Sequence, residues 1–255
     1  MALLKLSFLS KSLSRTVDVN VLLPIENSLE TDLCKFKTIY LLHGYTGNQD
    51  DWLTYTTIRS LSEKYNLAVV MPAGENSFYT DNEATGYKYG EYIGKELVDF
   101  TRKILPLSDK REDTFIGGLS MGGFGALRIG ALYGNTFSKI ISLSGAFVIK
   151  NLQTDKDFYA NSIANKAYYE RVFGNIEELD NSYNNPVYCV KNSENMPKVF
   201  MACGTEDYLI NENRDMRNTL ENNSVNLKYE ESTGIHDWEF WERNINIGVK
   251  WLFES

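Results

Sequence analysis

The sequence predicts an α/β fold, a mostly parallel central sheet with helices on both faces. Three observations carry this expectation. Short β-prone runs alternate along the chain with segments of helical apolar spacing, the rhythm of parallel strands joined by crossover helices. At 255 residues, with 43% hydrophobic and 24% charged side chains, the chain has the size and composition of a soluble globular α/β unit. No internal repeat or flexible linker divides it, so residues 1–255 read as a single domain.

The elements follow in order. Residues 1–10 resemble a secretion signal only superficially, because Lys5 and Lys11 break the apolar run and no A-x-A-like site follows. They are read as a first strand, paired through a turn near Ser12 with residues 15–22, which alternate polar and apolar as a half-exposed antiparallel strand should. Strands at 38–42 and 67–72 come next, then a helix over about 89–104 leading to a short strand at 113–117 and a helix over 123–132. A strand at 139–144 is followed by residues 146–196, which carry no core strand and are rich in Asn, Tyr and charge. This stretch reads as a cap-like insertion of helices and loops. Its aromatics, Phe158, Tyr159, Tyr168, Tyr169, Phe173 and Tyr183, suit either a small core of their own or a stacking surface for a ligand. A strand at 197–203, a helix over 211–222, a strand at 225–230 and a terminal helix over 238–252 complete the reading.

The stretch that carries chemistry is Gly118-Leu119-Ser120-Met121-Gly122, a G-x-S-x-G pentapeptide between the strand and the helix of residues 113–132. A strand turning sharply into a helix at a serine pushes the hydroxyl out of the sheet, and glycines on either side allow the turn. The helix N-terminus adds free amides and partial positive charge, which favour an oxyanion. A serine hydroxyl is a poor nucleophile until an imidazole takes its proton, and the chain holds only two histidines. His236 lies on the loop after the last strand, over the carboxyl edge where Ser120 emerges, and is read as the base. His43 ends a strand before Gly44 and is read as shaping a turn. Asp207, at the carboxyl end of the strand 197–203, is placed to orient the imidazole, with Glu206 and Asp237 as competitors. The glycine-flanked turn 43–48 brings the amide of Tyr45 into play, paired with that of Met121, as an oxyanion hole.

These residues carry a resemblance. Leu42-His43-Gly44-Tyr45-Thr46-Gly47, the elbow extended by Gly123, Gly204-Thr205-Glu206-Asp207, Gly234-Ile235-His236-Asp237-Trp238 with Trp241, and Tyr89 to Leu97 resemble the esterase D superfamily over nearly the whole chain. Its members include acetyl, feruloyl and tributyrin esterases, S-formylglutathione hydrolases and mycolyl transferases. The resemblance implies an α/β-hydrolase fold with the insertion over the active site, Ser120 as nucleophile, Asp207 as acid, His236 as base, and the Tyr45 and Met121 amides as oxyanion hole. Trp238, Trp52 and Tyr79 are expected near the substrate pocket. The function expected is a serine carboxylesterase acting on short or compact acyl groups, with thioester hydrolysis, acyl transfer and a non-catalytic binding role as rivals.

Composition narrows the partners. A net charge of −8 argues against nucleic acid and against an anionic membrane surface. No apolar run approaches the roughly 18 residues of a membrane span. Three cysteines, at 34, 189 and 203, without C-x-x-C spacing, suggest reduced thiols in a cytoplasmic protein, and Cys203 within a strand reads as a buried hydrophobe. No metal and no cofactor are expected; the partner is a small-molecule ester, and self-association is left open.

Overall fold

In a computed structural model, which describes residues 1–28, 35–155 and 157–254, eight strands form one sheet. They are β1 (Ala2–Ser10), β2 (Arg15–Leu23), β3 (Lys37–Leu42), β4 (Leu67–Pro72), β5 (Thr114–Leu119), β6 (Lys139–Leu143), β7 (Lys198–Gly204) and β8 (Leu227–Ser232). The order is β1-β2-β4-β3-β5-β6-β7-β8. Only β2 runs antiparallel to its neighbours; the remaining pairings, from β4 to β8, are parallel. β5 is buried along its whole length, which places its carboxyl end, and the serine that follows, at the middle of the sheet.

Helices cover both faces, as expected of this alternation. One face holds α1 (Asp51–Tyr55), α2 (Ile58–Tyr65) and the terminal α10 (Trp238–Leu252), whose Trp52, Ile58, Leu61, Phe240, Ile245 and Val249 close over Ile39, Leu41 and Ile141. The other holds α3 (Leu97–Ile104), α4 (Met121–Leu132) and α9 (Ile210–Asn222). The helix expected over 89–104 is interrupted: residues Tyr92–Glu96 form a π-helical turn before α3. Gly94 sits against the Tyr133 ring, where a Cβ would come within 2.3 Å, so the wider turn accompanies a close packing that the apolar spacing does not encode.

Between β6 and β7 the chain forms α5 (Ile149–Thr154), α6 (Phe158–Asn161), α7 (Lys166–Phe173) and α8 (Pro186–Lys191), with no strand among the described residues, in line with the expectation of helices and loops. The aromatics here pack on one another: Tyr169 contacts Phe158, Tyr159, Tyr168 and Phe173 at centroid distances from 5.2 to 6.3 Å. Phe158, Tyr159, Tyr168, Tyr169 and Phe173 thus share a small core of their own, whereas Tyr183 is 54% exposed and packs on Tyr188. Asn165 and Asn185 accept amide hydrogen bonds at the starts of α7 and α8, which explains part of the Asn richness as helix capping.

A buried arginine ties this insertion to α4. Arg128, 1% exposed on α4, donates Nε to the Tyr183 carbonyl, Nη1 to the Tyr79 carbonyl, and Nη2 to both Asp81 Oδ2 (2.9 Å) and Asn184 Oδ1 (3.0 Å). Asp81→Ala would leave that guanidinium buried without its counter-charge. A loss of about 3 kcal/mol in unfolding free energy is expected by urea denaturation, the low end for a broken buried pair because Asp81 is partly exposed. Among the described residues no helix is long and apolar enough to cross a membrane.

Candidate active site

The strand β5 ends at Leu119, and Ser120 follows with φ 53° and ψ −118°, a conformation that L-residues rarely adopt. It is held there from three sides: its N–H donates to the Leu143 carbonyl at 2.8 Å, and its own carbonyl accepts from Phe124 and Ala146, both at 3.0 Å. Backbone closeness explains the flanking glycines. A Cβ on Gly118 would lie 2.3 Å from the Gly122 carbonyl oxygen, and one on Gly122 would lie 2.5 Å from that of Leu42. The start of α4 therefore docks directly on the end of β3, and a larger residue at either position would push the serine off the turn.

Two loops meet Ser120. Its Oγ lies 2.9 Å from His236 Nε2, and His236 Nδ1 lies 2.8 Å from Asp207 Oδ2 and 3.1 Å from Oδ1. A carboxylate only accepts, so Nδ1 carries the ring proton and Nε2 is left to accept from the serine hydroxyl. The Asp207 side chain is fully buried and that of His236 is 12% exposed. Burial alone would push the Asp207 carboxyl up. The hydrogen bond to His236, its charge and the N–H of Leu209 (2.9 Å) outweigh it and hold the group below the usual carboxylate range. The competitors have other work. Asp237 Oδ1 accepts from the Phe240 N–H at 2.9 Å and caps α10, while Glu206 accepts from the Gly234 N–H at 2.8 Å and ties the His236 loop to the end of β7.

The glycine turn after β3 runs beside the serine: a Cβ on Gly44 would lie 3.6 Å from Ser120 Cβ. Tyr45 comes next in the chain, and Met121 opens α4, where a backbone N–H has no partner inside the helix. His43 shapes this turn. Its Nδ1–H donates to the Gly44 carbonyl at 2.7 Å and its Nε2 accepts from the Gly74 N–H at 2.8 Å, so both nitrogens are used with the ring neutral. Burial lowers its pKa to about 4. The unfolded chain takes up a proton near pH 6.5, the folded chain only near 4. This contribution to stability is therefore complete above about pH 6.5 and is lost as pH falls toward 4, about 3 kcal/mol in all. Urea unfolding across that window should show the decline, and His43→Gln should remove its slope.

The residues expected around the pocket divide. Trp238 is half-buried, stacked on exposed Tyr55 at 4.8 Å and edge-on to Trp241 at 5.2 Å. Trp52 and Tyr79, in contrast to the expectation, are both 0% exposed. The Trp52 indole N–H donates to the Leu42 carbonyl and the Tyr79 hydroxyl to that of His43, so the two brace the loop from beneath and present no surface to a ligand. Tyr208, which was not among the residues expected at the pocket, is 64% exposed with its ring 4.6 Å from that of His236. Its place directly after Asp207 was the available signal. Cys203 is buried in β7, and burial raises its thiol pKa, which makes it a poor nucleophile; Cys34 lies outside the described residues.

Residues 10–252, nearly the whole chain, match the Esterase family model. The chain belongs to the Esterase family. This esterase is 43% identical over 261 residues to an acetyl esterase of Caldicellulosiruptor saccharolyticus, covering 99% of this chain and 98% of that protein. Its fold matches fluorophosphonate-binding serine hydrolase F of Staphylococcus aureus, solved with substrate bound, at a TM-score of 0.87 and 30% identity, covering 100% and 99% of the two chains. An S-formylglutathione hydrolase of Staphylococcus aureus matches at 0.86 and 30%, over 98% of each chain. A ferulic acid esterase at 20% identity shares the fold, at a TM-score of 0.78 over 98% of this chain and 96% of that one. The esterase thus has the α/β-hydrolase fold, is a carboxylic ester hydrolase, and groups with the esterase D superfamily that its motifs resemble.

Proposed function

We propose that the esterase hydrolyses esters with short or compact acyl groups through an acyl-enzyme on Ser120. The observation that carries this reading is the unbroken chain from Ser120 Oγ through His236 to the buried Asp207, with links of 2.9 and 2.8 Å. Ser120 Oγ attacks the ester carbonyl as His236 Nε2 takes its proton, and Asp207 holds the tautomer and stabilises the imidazolium. The oxyanion rests on the amides of Tyr45 and Met121, each such donor contributing about 3–4 kcal/mol to the transition state. His236 then gives its proton to the departing alcohol, and water repeats the sequence on the acyl-enzyme. Acetyl esters are the first choice because the 43% identical relative is an acetyl esterase. S-formylglutathione is the second, favoured by the hydrolase of that thioester at 30% identity. The free, buried Cys189 and Cys203 suit a reducing, cytoplasmic setting.

Hydrolysis of p-nitrophenyl esters from acetate to octanoate, with S-formylglutathione and methyl ferulate alongside, tests the reading. Turnover falling steeply with chain length is expected. A preference for octanoate, or turnover of the thioester alone, would contradict it.

A further inference from the structure

The turn that carries the Tyr45 amide has one backbone hydrogen bond of its own, from the Gly47 N–H to the Gly44 carbonyl at 3.2 Å, and is also held from outside. Thr46 has φ 66°, unusual for a β-branched residue, and its N–H donates to Asn76 Oδ1 at 2.8 Å. Asn76 belongs to a strained loop in which Glu75, Phe78 and Tyr79 also have positive φ. On one side this loop grips the end of β3 through the Gly74 N–H and the Tyr79 hydroxyl, both bonded to His43. On the other it grips helix α7 of the insertion. The Tyr168 hydroxyl donates to the Asn76 carbonyl at 2.8 Å, and Thr80 Oγ1 donates to the Val172 carbonyl at 2.7 Å. The Tyr168 ring also meets the Tyr45 ring edge-on at 5.5 Å. One residue, Asn76, therefore bonds the oxyanion turn with its side chain and the insertion with its backbone.

We propose that Asn76, itself anchored by Tyr168, is a positioning residue for the oxyanion hole. It keeps the Tyr45 amide aimed at the developing oxyanion and makes that aim depend on the docking of the insertion. The inference rests on the reading of Ser120 and the Tyr45 amide given above. Asn76 touches no reacting atom in this role; it fixes Thr46 at its unfavourable φ, and the neighbouring amide inherits its direction. An oxyanion donor acts only on the transition state, so its misplacement lowers turnover and spares ground-state binding.

The test is steady-state hydrolysis of p-nitrophenyl acetate by Asn76→Leu, Asn76→Asp, Tyr168→Phe and the Asn76→Leu/Tyr168→Phe double variant, with thermal midpoints measured alongside. Asn76→Leu removes the acceptor at similar size, and kcat should fall roughly 10- to 100-fold with KM unchanged. Asn76→Asp retains a side-chain acceptor for the Thr46 N–H and should keep most of kcat. Tyr168→Phe keeps the ring contact and loses only the hydroxyl; a smaller fall in kcat is expected. Once the Asn76 side chain is gone, the Tyr168 hydroxyl has no route to Thr46, so the double variant should be no slower than Asn76→Leu. Wild-type kcat in Asn76→Leu, a change confined to KM, or losses that multiply in the double variant would overturn the proposal. Should Asn76→Leu fail to fold, Tyr168→Phe decides alone, and wild-type kcat there would overturn it. Ser120→Ala is run in parallel: activity surviving in that variant would indict the assignment of the nucleophile rather than this coupling.

Discussion

Ser120→Ala is expected to lower kcat for acetate esters by about 10⁶-fold, the scale on which removing a triad serine removes the whole nucleophilic route. The fold should survive it. Alanine is asked to adopt the same φ of 53° that serine adopts, and the only contact deleted is the 2.9 Å bond from Oγ to His236. A net hydrogen bond contributes about 1 kcal/mol, so the unfolding free energy should barely move. Turnover of p-nitrophenyl acetate and a thermal melt on the same preparation check both halves. Activity within tenfold of wild type would remove Ser120 from the chemistry.

Asp207→Asn is expected to lower kcat by about 10⁴-fold with the backbone unchanged. The reason lies in proton bookkeeping at one ring. An ionised Asp207 can only accept, which keeps the proton of His236 on Nδ1. An amide can turn its NH2 toward Nδ1, and the ring proton then moves to Nε2, where it faces Ser120 Oγ and blocks proton transfer. Combined with Ser120→Ala the substitution should cost nothing further, because the residues act as a unit. A second signature is thermodynamic. The folded-state pKa of Asp207 is lowered, so its contribution to stability is complete above the unfolded value near 3.9 and is lost as pH falls through the folded value. That acid limb should be absent from the urea-unfolding profile of Asp207→Asn.

The strands were legible because burial on a central sheet demands continuous apolar runs: residues 67–72 form β4 with the bounds the sequence suggested, and the neighbouring strands shift by one or two residues. Ser120, Asp207 and His236 were legible for a different reason. Each follows a recognisable strand, and in a parallel sheet the loops after the strands share one edge, so chain order alone brings their side chains within hydrogen-bond reach. Asp237 was set apart from Asp207 in the sequence by its adjacency to the base, and in the structure it caps the helix it precedes. What could not be read were contacts set by distant segments. Nothing local marks Asn76 as the partner of Thr46 30 residues away, or of Tyr168 92 residues away. Arg128 looks like a surface residue of a helix until Asp81, Tyr79 and Asn184 converge on it. Trp52 and Tyr79 were misplaced by the same logic. As aromatics they were expected near the pocket, whereas their polar tips reach the Leu42 and His43 carbonyls and their rings fill the core.

The central claim is that Ser120 Oγ is the nucleophile of this esterase. Intact-mass and peptide mass spectrometry after treatment with a fluorophosphonate probe measures this directly. One adduct per chain is expected, located on the peptide holding Ser120, formed in step with loss of esterase activity and absent from Ser120→Ala. An adduct on another residue, or full acetate hydrolysis by protein whose Ser120 is quantitatively labelled, would contradict it.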